Sequence, residues 1–548
     1  MTERPFLSMD LANPTWWAYV GLLVIAVYFR FSRVFSIRNL DLLLLLLIST
    51  SLTATVLYRD RVWSPQAHGG PLLTQVNSLM ADVLGASRGE TIPVAYRADE
   101  RSSAAASGAT NGVPGGAAVR GEGLARQILR PEGDLRHPMF RWGSLLLLAA
   151  TACLLVRLMF DESLTRRPRL DQNLNLSGLM CLCIPAFGIL MAHVALLSPP
   201  QHAQATMQYG QALLQRQHVE LLADESEVPP APVETLMAAG GSIVGDLADT
   251  RPDWVARGLV ITAHSLVVLG LLVISRLHFA SLQLGVSMVC LYLLLPCTGV
   301  YVHQLSHVLP AACLTWAFVC YRRPMVSGIL LGLASGTLFF AIFLIPLWAV
   351  FYGRRGALRF IISVSAVAVV LAATLMLISQ DAPSFVEKLI RSMNWTVYRL
   401  FMQPGLLPDS QLGQSIVRIL MAAVFFVMLT AMTVLPRPRN LENLLGNSTS
   451  LIVAAQLWYP QDIGHYVLWY LPLLLLTVRR NRDFATLESI WADTARKAPT
   501  NARAHYNHGL ALEVGGKTEK AVAAYHACVL LSPLHADAHA HLARLLQR

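Results

Sequence analysis

The sequence contains few charged residues. Asp, Glu, Lys and Arg make up only 14% of its 548 residues, whereas 54% are hydrophobic and the mean hydropathy is +0.49. In an average globular protein about a quarter of the residues are charged. This shortage excludes a disordered chain, a coiled coil and an ordinary nucleic-acid-binding domain. It predicts a polytopic α-helical membrane protein, whose first partner is the lipid bilayer and which has no nucleic-acid partner.

The sequence also lacks a disulfide framework and the common catalytic motifs. Seven of the eight cysteines fall in or beside apolar segments, where free cysteine behaves as a small hydrophobe. No Walker loop, dinucleotide-binding fingerprint, HExxH helix or nucleophile elbow occurs. The chain therefore reveals no catalytic class by motif, and we predict no metal site.

What the sequence does contain is a series of apolar runs long enough to span a bilayer. They predict an all-α transmembrane helix bundle of about 11 to 13 spans. The runs lie near 15–31, 40–58, 142–160, 174–197, 258–275, 279–298, 305–321, 326–352, 359–379, 414–435, 441–459 and 463–478.

Arginines mark every second boundary between these runs. Clusters around Arg30, Arg166, Arg322, Arg437 and Arg479, together with the single Arg276, follow every second run, apart from the run 326–352. Because basic residues flank spanning helices on the cytoplasmic side, the net charge of +10 is mainly an orientation signal. We expect a bacterial-type inner or plasma membrane, with the long loops outside and the C-terminal tail in the cytoplasm.

The run 326–352 breaks this alternation, because it has an arginine pair at each end, Arg322-Arg323 and Arg354-Arg355. A single crossing cannot place both ends in the cytoplasm, but two half-helices can, and glycines between them allow a tight break. Such backbone is tolerated where protein or water covers it. We predict a broken re-entrant hairpin near 326–352; the alternative is one long kinked helix.

These patterns divide the chain into six parts. They are the first two transmembrane helices (1–58), an outer loop (59–141) with a disordered tract (101–123), further transmembrane helices (142–197), a second outer loop (198–257), the main transmembrane bundle (258–478) with an outer interfacial segment (384–401), and a cytoplasmic helical tail (479–548).

In the tail, hydropathy falls, an aromatic residue and a proline each recur at a spacing of 34 residues, and small residues occupy two positions between them. This pattern resembles the tetratricopeptide (TPR) repeat, with one full repeat flanked by two partial ones over 483–548. The expected packing positions are Trp491, Pro499, Gly509, Ala521, Tyr525 and Pro533. Because such α-solenoids need at least about three repeats, we expect the tail to dock on the membrane domain or on a protein partner.

Polar residues at the outer ends of the spans are the candidate site, because polar groups at membrane depth are functional by default. His303 and His307 are four residues apart and are expected on one helix face. The full candidate set is Asp60, Asp462, His303, His307 and His465.

Each candidate also has a structural alternative. The histidines can serve as interfacial anchors, Asp462 as a turn residue, and Asp60 as a juxtamembrane ion-pair partner. His193 and His264 lie inside apolar runs and are expected to make interhelical hydrogen bonds.

The stretch 301–360 reads as a span, a basic turn, the run Gly328-Ile-Leu-Leu-Gly332-Leu-Ala, the run Pro346-Leu-Trp348, and a second basic turn. In this order it resembles the corresponding region of the GT-C glycosyltransferases, polytopic enzymes that use polyprenyl-phosphate sugars.

The resemblance implies transfer of a sugar from a lipid phosphate at the outer leaflet to an acceptor. An acid in the first large outer loop would act as general base or metal ligand, and Asp60 is the positional match. Basic groups would hold the lipid phosphate, a role that Arg391 and Arg399 of the interfacial segment fit. The implied cofactors are a polyprenyl-phosphate sugar donor and, in that reading, a divalent metal.

The sequence therefore supports three interpretations. In the first, the protein is a membrane glycosyltransferase in which Asp60 or Asp462 is the base and His303 and His307 orient the acceptor. In the alternative, it is a non-catalytic membrane scaffold whose TPR tail recruits protein partners. A flippase or transporter for an amphiphilic substrate is a third interpretation.

Overall fold

The computed structural model describes residues 14–63, 138–160, 172–217, 230–279, 281–337, 339–392, 411–435, 441–459, 464–477, 484–514 and 517–546. Within these residues every regular element is a helix, as the sequence predicts. The predicted tract 101–123 and most of the first outer loop lie outside the described residues.

The α-helices, numbered here in chain order, form the whole described fold. They are α1 (Pro14–Tyr28), α2 (Ile37–Trp63), α3 (Pro138–Met159), α4 (Leu176–Leu196), α5 (Gln201–Gln215), α6 (Pro232–Leu247), α7 (Pro252–His278), α8 (Leu282–Leu294), α9 (Leu305–Val319), α10 (Pro324–Ser335), α11 (Leu344–Leu377), α12 (Ala382–Ser392), α13 (Gln411–Val434), α14 (Leu441–Trp458), α15 (Val467–Thr477), α16 (Phe484–Lys497), α17 (Ala502–Val514), α18 (Thr518–Leu531) and α19 (Ala536–Leu546). A short helix, Pro296–Val300, lies between α8 and α9.

Five helical segments in the described residues are long and apolar enough to cross a membrane. They are Asn39–Val56, Trp142–Met159, Leu176–Leu196, Pro252–His278 and Phe340–Leu377. Several shorter apolar helices, such as α8, α9 and α15, pack among them. The composition therefore correctly predicts a helical protein with several helices of membrane-spanning character.

Two central helices are buried on all sides. Every residue from Val467 to Leu476 in α15 is buried, and so is every residue from Asn447 to Trp458 in α14. A helix that is buried around its whole circumference belongs in the interior of a bundle. Helix α15 packs against α9 and α14, and α14 packs against α3 and α13.

Helices α2 and α3 are antiparallel neighbours. The guanidinium of Arg157, near the end of α3, donates two hydrogen bonds of 2.7 and 2.8 Å to the carboxylate of Asp41, near the start of α2. At the opposite end of the pair, Gly143 lies against Thr55. The two charges are almost fully buried, and pairing with each other keeps them stable in an apolar setting.

The chain folds back on itself between α10 and α11. Helix α10 ends at Ser335, a short 3₁₀ turn covers Phe339–Phe343, and the hydroxyl of Tyr352 then donates a 2.7 Å hydrogen bond to the carbonyl oxygen of Tyr321. The residues just before α10 and those late in the returning segment therefore meet at the same end of the bundle.

A second reversal follows at Gly353, whose φ of 67° lies in the left-handed region that favours glycine. The rest of α11 then runs parallel to α10, with Gly332 against Val367 and Gly336 against Leu371. The absence of side chains on these glycines allows the two backbones to approach closely.

The bundle has two opposite ends, called here the arginine end and the histidine end. The arginine end carries Arg322 and Arg354, which flank the folded-back segment. The histidine end carries Tyr301 and His307, which lie at the other end of α9. Because α9 has 15 residues, the two ends are separated by about 22 Å.

The tail consists of α16 to α19, and each of these helices packs on the next one. Gly509 of α17 lies directly against the ring of Tyr525 in α18, where a Cβ would approach it to 2.7 Å. Tyr525 and Ala521 are fully buried, and Trp491 is half-buried, whereas Pro499 and Pro533 lie in exposed turns. Gly509, Ala521 and Tyr525 therefore lie together in the interior of the tail.

Candidate functional site

The candidate site lies at the histidine end, where three separate parts of the chain meet. Helix α2 contributes Thr55, the turn before α9 contributes Tyr301, and the turn before α15 contributes His465. Gly464 has a φ of 80°, and a Cβ there would approach Leu147 to 2.9 Å. Glycine at this position therefore lets the chain turn tightly and places His465 beside the other two residues.

The hydrogen bonds of His465 fix its tautomer. Its Nδ1 lies 3.2 Å from the Tyr301 hydroxyl, and its Nε2 lies 3.4 Å from Thr55 Oγ1. Thr55 already donates its proton to the carbonyl oxygen of Leu52 at 2.7 Å, so its oxygen accepts the proton of His465 Nε2. In the neutral form of His465, Nδ1 accepts from the Tyr301 hydroxyl, so both ring nitrogens have a hydrogen-bond partner.

His307 lies between two tyrosine rings in the same cluster. It stacks on Tyr301 with ring centroids 4.1 Å apart and on Tyr466 at 5.5 Å. Phe340, in the turn between α10 and α11, packs edge-on against Tyr466 at 5.1 Å and against Tyr459 at 4.9 Å. The folded-back segment therefore ends against the cluster of aromatic and imidazole rings.

His303 does not share a helix face with His307, so that sequence expectation is wrong. Helix α9 begins at Leu305, which leaves His303 in the preceding turn, where its ring lies 4.9 Å from the ring of His193 in α4. The four-residue spacing implies a shared face only inside one continuous helix. The structure thus separates a His307–His465 cluster from a His193–His303 pair.

Of four further predicted site residues, two can be assigned to a helix and two lie outside the described residues. Asp60 belongs to α2 and follows Thr55 by five residues, which is about 7.5 Å along the helix axis. Arg391 belongs to α12. Asp462 and Arg399 lie outside the described residues.

The interhelical hydrogen bonds expected for His264 are confirmed. Its Nε2 lies 3.2 Å from the carbonyl oxygen of Val302, and its Nδ1 lies 3.0 Å from the hydroxyl of Tyr292. A carbonyl only accepts, so Nε2 carries the proton and Tyr292 donates to Nδ1. His264 thereby anchors the turn that presents Tyr301 and His303.

One acidic residue at this end was missed by the sequence analysis. Glu234, in the first turn of α6, is almost fully buried, and its Oε2 lies 3.1 Å from Nε2 of His202 in α5. Its neighbour Val233 packs against Gly336, at the end of α10. In the sequence, Glu234 follows Pro232 at the start of a helix, a position where an acid is common as a cap.

The charge of Glu234 changes the ionisation of its partner. Burial lowers the pKa of His202, but the hydrogen bond to Glu234 and its negative charge outweigh this and raise the pKa above the ordinary value. His202 is therefore held in its protonated form to higher pH than a free histidine. Among the described residues, no group of three or more His, Cys, Asp or Glu side chains is arranged to hold a metal ion.

Fold and site together define an all-helical protein with several helices of membrane-spanning character and a cluster of tyrosines and histidines at one end. No family model matches the chain. No curated protein matches it either.

Proposed function

We propose that the protein is an integral membrane glycosyltransferase of the GT-C type, which transfers a sugar from a lipid-phosphate carrier at the outer leaflet. The single observation that carries this proposal is the meeting of Tyr301, His307 and His465 from distant parts of the chain, against the turn of the folded-back segment. Aromatic and imidazole rings are the groups that position sugars and move protons.

In this proposal the histidine end faces outward and the segment 324–352 is a re-entrant hairpin. The hydrogen bond between Tyr352 and Tyr321 supports the hairpin, since both of its ends then lie at the arginine end. His307 and Tyr301 orient the acceptor, and Asp60 or Asp462 removes its proton. Arg391 and Arg399 remain candidates for holding the lipid phosphate.

The test uses a strain that lacks the protein and is complemented with variants. The glycan that disappears on deletion and returns with the wild-type chain defines the product by mass spectrometry. Asp60→Asn, Asp462→Asn and His307→Ala should lose that product while inserting normally. Asp246→Asn and His526→Ala, at exposed positions on α6 and α18, are the matched controls and should keep it. Full activity of all three site variants would falsify the assignment.

A second function is favoured by an observation on the tail. Leu530, Leu534 and Leu546 are 70%, 96% and 68% exposed. Large apolar side chains exposed together are typical of a protein-binding surface, which is what a TPR module that recruits a partner requires.

This scaffold function predicts that deleting 483–548 abolishes complex formation and leaves the membrane domain intact. Leu534→Glu should weaken the complex, whereas Lys520→Glu, another exposed substitution in the tail, should weaken it less. If the complex survives the deletion, the tail is not the recruiting element.

A further inference from the structure

Helix α6 buries its polar side chains and exposes its apolar ones. Glu234, Thr235 and Ser242 are at most 4% exposed. The large apolar side chains on its exposed surface are Met237, Ile243, Val244 and Leu247. Its only other charged residue, Asp246, lies in the last turn. A helix on the surface of a soluble protein has the opposite arrangement, with the apolar side turned inward.

Helix α6 lies alongside the first turns of α7. Gly241 packs against Val255 and Leu259, and Gly245 packs against Val255, where a Cβ would approach to 2.6 Å. Later residues of α6 thus meet earlier residues of α7, so the two helices run antiparallel. Since α7 is one of the helices of membrane-spanning character, the depth of α6 can be measured along it.

The charges on α7 mark where a bilayer would begin. Between Arg257 and Arg276 the helix has 18 residues and no charge, a length of about 27 Å. The hydrocarbon core of a bilayer is about 30 Å thick, so its boundary at the histidine end lies near Arg257. Gly241, packed against Leu259, is level with this boundary. The earlier residues of α6 therefore lie below it, inside the hydrocarbon core.

Helix α11 places the start of α6 at the same depth. Val233 packs against Gly336, which in turn packs against Leu371 of α11. The exposed apolar surface of α11 continues from there to Leu377, about 9 Å further along the helix axis, and only then does the exposed Asp381 follow. The first turn of α6 is therefore about 10 Å below the boundary.

The neighbouring helix α5 starts at this depth too, but its exposed side is polar. His202 pairs with Glu234, and Gly210 packs against Ala238, so Gln204 lies level with the first turns of α6. The exposed glutamines of α5 are Gln201, Gln204, Gln208 and Gln215. Polar side chains at membrane depth face a protein interior or water, not lipid.

We propose that α6 is a half-membrane helix whose exposed side contacts the lipids of the leaflet at the histidine end, while α5 faces a water-filled recess above that end. The partner of Met237 and Val244 is thus lipid, and the predicted outer loop 198–257 lies partly inside the membrane. The continuous apolar surface of α6, α7 and α11 supports this partner. The proposal does not depend on glycosyltransferase activity.

The first experiment uses the unmodified full-length protein. It is reconstituted in vesicles of phosphatidylethanolamine and phosphatidylglycerol that contain a phospholipid with a photoreactive diazirine in its acyl chain. Mass spectrometry should locate crosslinks within 237–247 and, as a lipid-facing reference, at Val369 or Val370 of α11. The glutamines of α5 should stay unmodified. Crosslinks in α11 without any in α6 would overturn the proposal.

The second experiment compares two positions at one depth. In a variant without native cysteines, Met237→Cys and Gln204→Cys are spin-labelled in the same vesicles, with Val370→Cys and Asp537→Cys as lipid and water references. Oxygen concentrates in lipid, whereas a nickel chelate stays in water. The ratio of oxygen to nickel collisions should be several times higher at Met237→Cys than at Gln204→Cys.

The other outcomes of the labelling decide against the proposal. A water-like ratio at Met237→Cys would place α6 in an aqueous loop. Protection of that label from both reagents would mean that a protein partner covers α6. A lipid-like ratio at Gln204→Cys would reject the recess.

Discussion

The hydroxyl of Tyr352 donates a 2.7 Å hydrogen bond to the carbonyl oxygen of Tyr321, 31 residues earlier in the chain. Tyr321 directly precedes the first arginine pair, Arg322-Arg323. Tyr352 lies two residues before the second pair, Arg354-Arg355. It holds the two ends of the folded-back segment together, while the turn of that segment reaches the aromatic rings of the site. The stability of this segment is therefore linked to the geometry of the site.

The first prediction concerns the contact between α10 and α11. A Cβ on Gly328 would lie 2.7 Å from the carbonyl oxygen of Phe360, which is backbone and cannot rotate away. Gly328→Ala should therefore lower the free energy of unfolding by about 1 to 3 kcal/mol, the usual cost of overpacking. Gly258→Ala on α7, where no atom lies within 4 Å, is the control and should be neutral or slightly stabilising. Thermal unfolding in detergent measures both, and equal midpoints would contradict the close packing.

The second prediction concerns the buried pair Asp41 and Arg157. Removing one partner leaves an uncompensated charge, so Asp41→Leu or Arg157→Met should each cost about 3 to 5 kcal/mol. The double variant should recover most of that loss, because neither charge remains to be buried. A double-mutant cycle on thermal stability checks this, and strictly additive losses would mean that the pair does not act as a unit.

The third prediction concerns pH and the contact between α5 and α6. Because the folded-state pKa of His202 is raised, its stabilising contribution is complete below about pH 6.5, the unfolded value, and is lost as pH rises through the raised pKa. Hydrogen-exchange protection factors of both helices should therefore fall from pH 6 to pH 9. In His202→Gln this dependence should be largely absent, and an unchanged dependence would show that another group is responsible.

The fourth prediction concerns Glu513 in the tail, which accepts hydrogen bonds of 2.7 Å from the Tyr525 hydroxyl and 2.8 Å from His541 Nδ1. Burial raises the pKa of Glu513, but these hydrogen bonds, together with the charges of His541 and Arg544, lower it below the ordinary value. The carboxylate therefore stabilises the tail above about pH 4.3, and this contribution is lost as pH falls through the lowered pKa.

Glu513→Gln should thus reduce the protection factors of α17 to α19 at pH 7 and make little difference at acid pH, where the wild-type carboxyl is also neutral. Glu519→Gln, an exposed acid in α18, is the control and should behave as wild type at both pH values. A deficit in Glu513→Gln that persists at acid pH would point to lost packing instead of lost charge.

The fifth prediction concerns orientation. In a variant without native cysteines, Thr110→Cys should react with a membrane-impermeant maleimide in intact cells. Asp537→Cys in the tail should react only after the membrane is permeabilised. Labelling of the tail in intact cells would reverse the orientation that the arginine clusters predict.

The sequence predicted the helices well because apolar periodicity and length are local properties. The observed bounds of α4 and α13 lie within a few residues of the predicted runs 174–197 and 414–435. The break between α10 and α11 was also predictable, because arginine pairs flank the run on both sides. The TPR-like pattern also placed Gly509 and Tyr525 among the packing positions, and the two residues are in contact.

The sequence predicted which residues belong to the candidate site, but not which of them are in contact. The sequence identified His303, His307 and His465, but the spacing of the first two incorrectly implied a shared helix face. Neither the stacking of His307 on Tyr301 nor the pairing of His303 with His193 follows from a local pattern. Glu234 was missed because an acid in the first turn of a helix is ordinary in sequence.

Composition and the placement of arginine thus determined a helical chain suited to a membrane and the positions of its breaks, since hydrophobicity and charge act residue by residue. The tertiary structure alone decided which polar groups meet. Tyr301 and His465 are separated by 164 residues, and their hydrogen bond exists because the turns before α9 and α15 end at the same height in the bundle. That height depends on how α9 and α15 pack against each other, which is a property of the whole bundle and not of either segment.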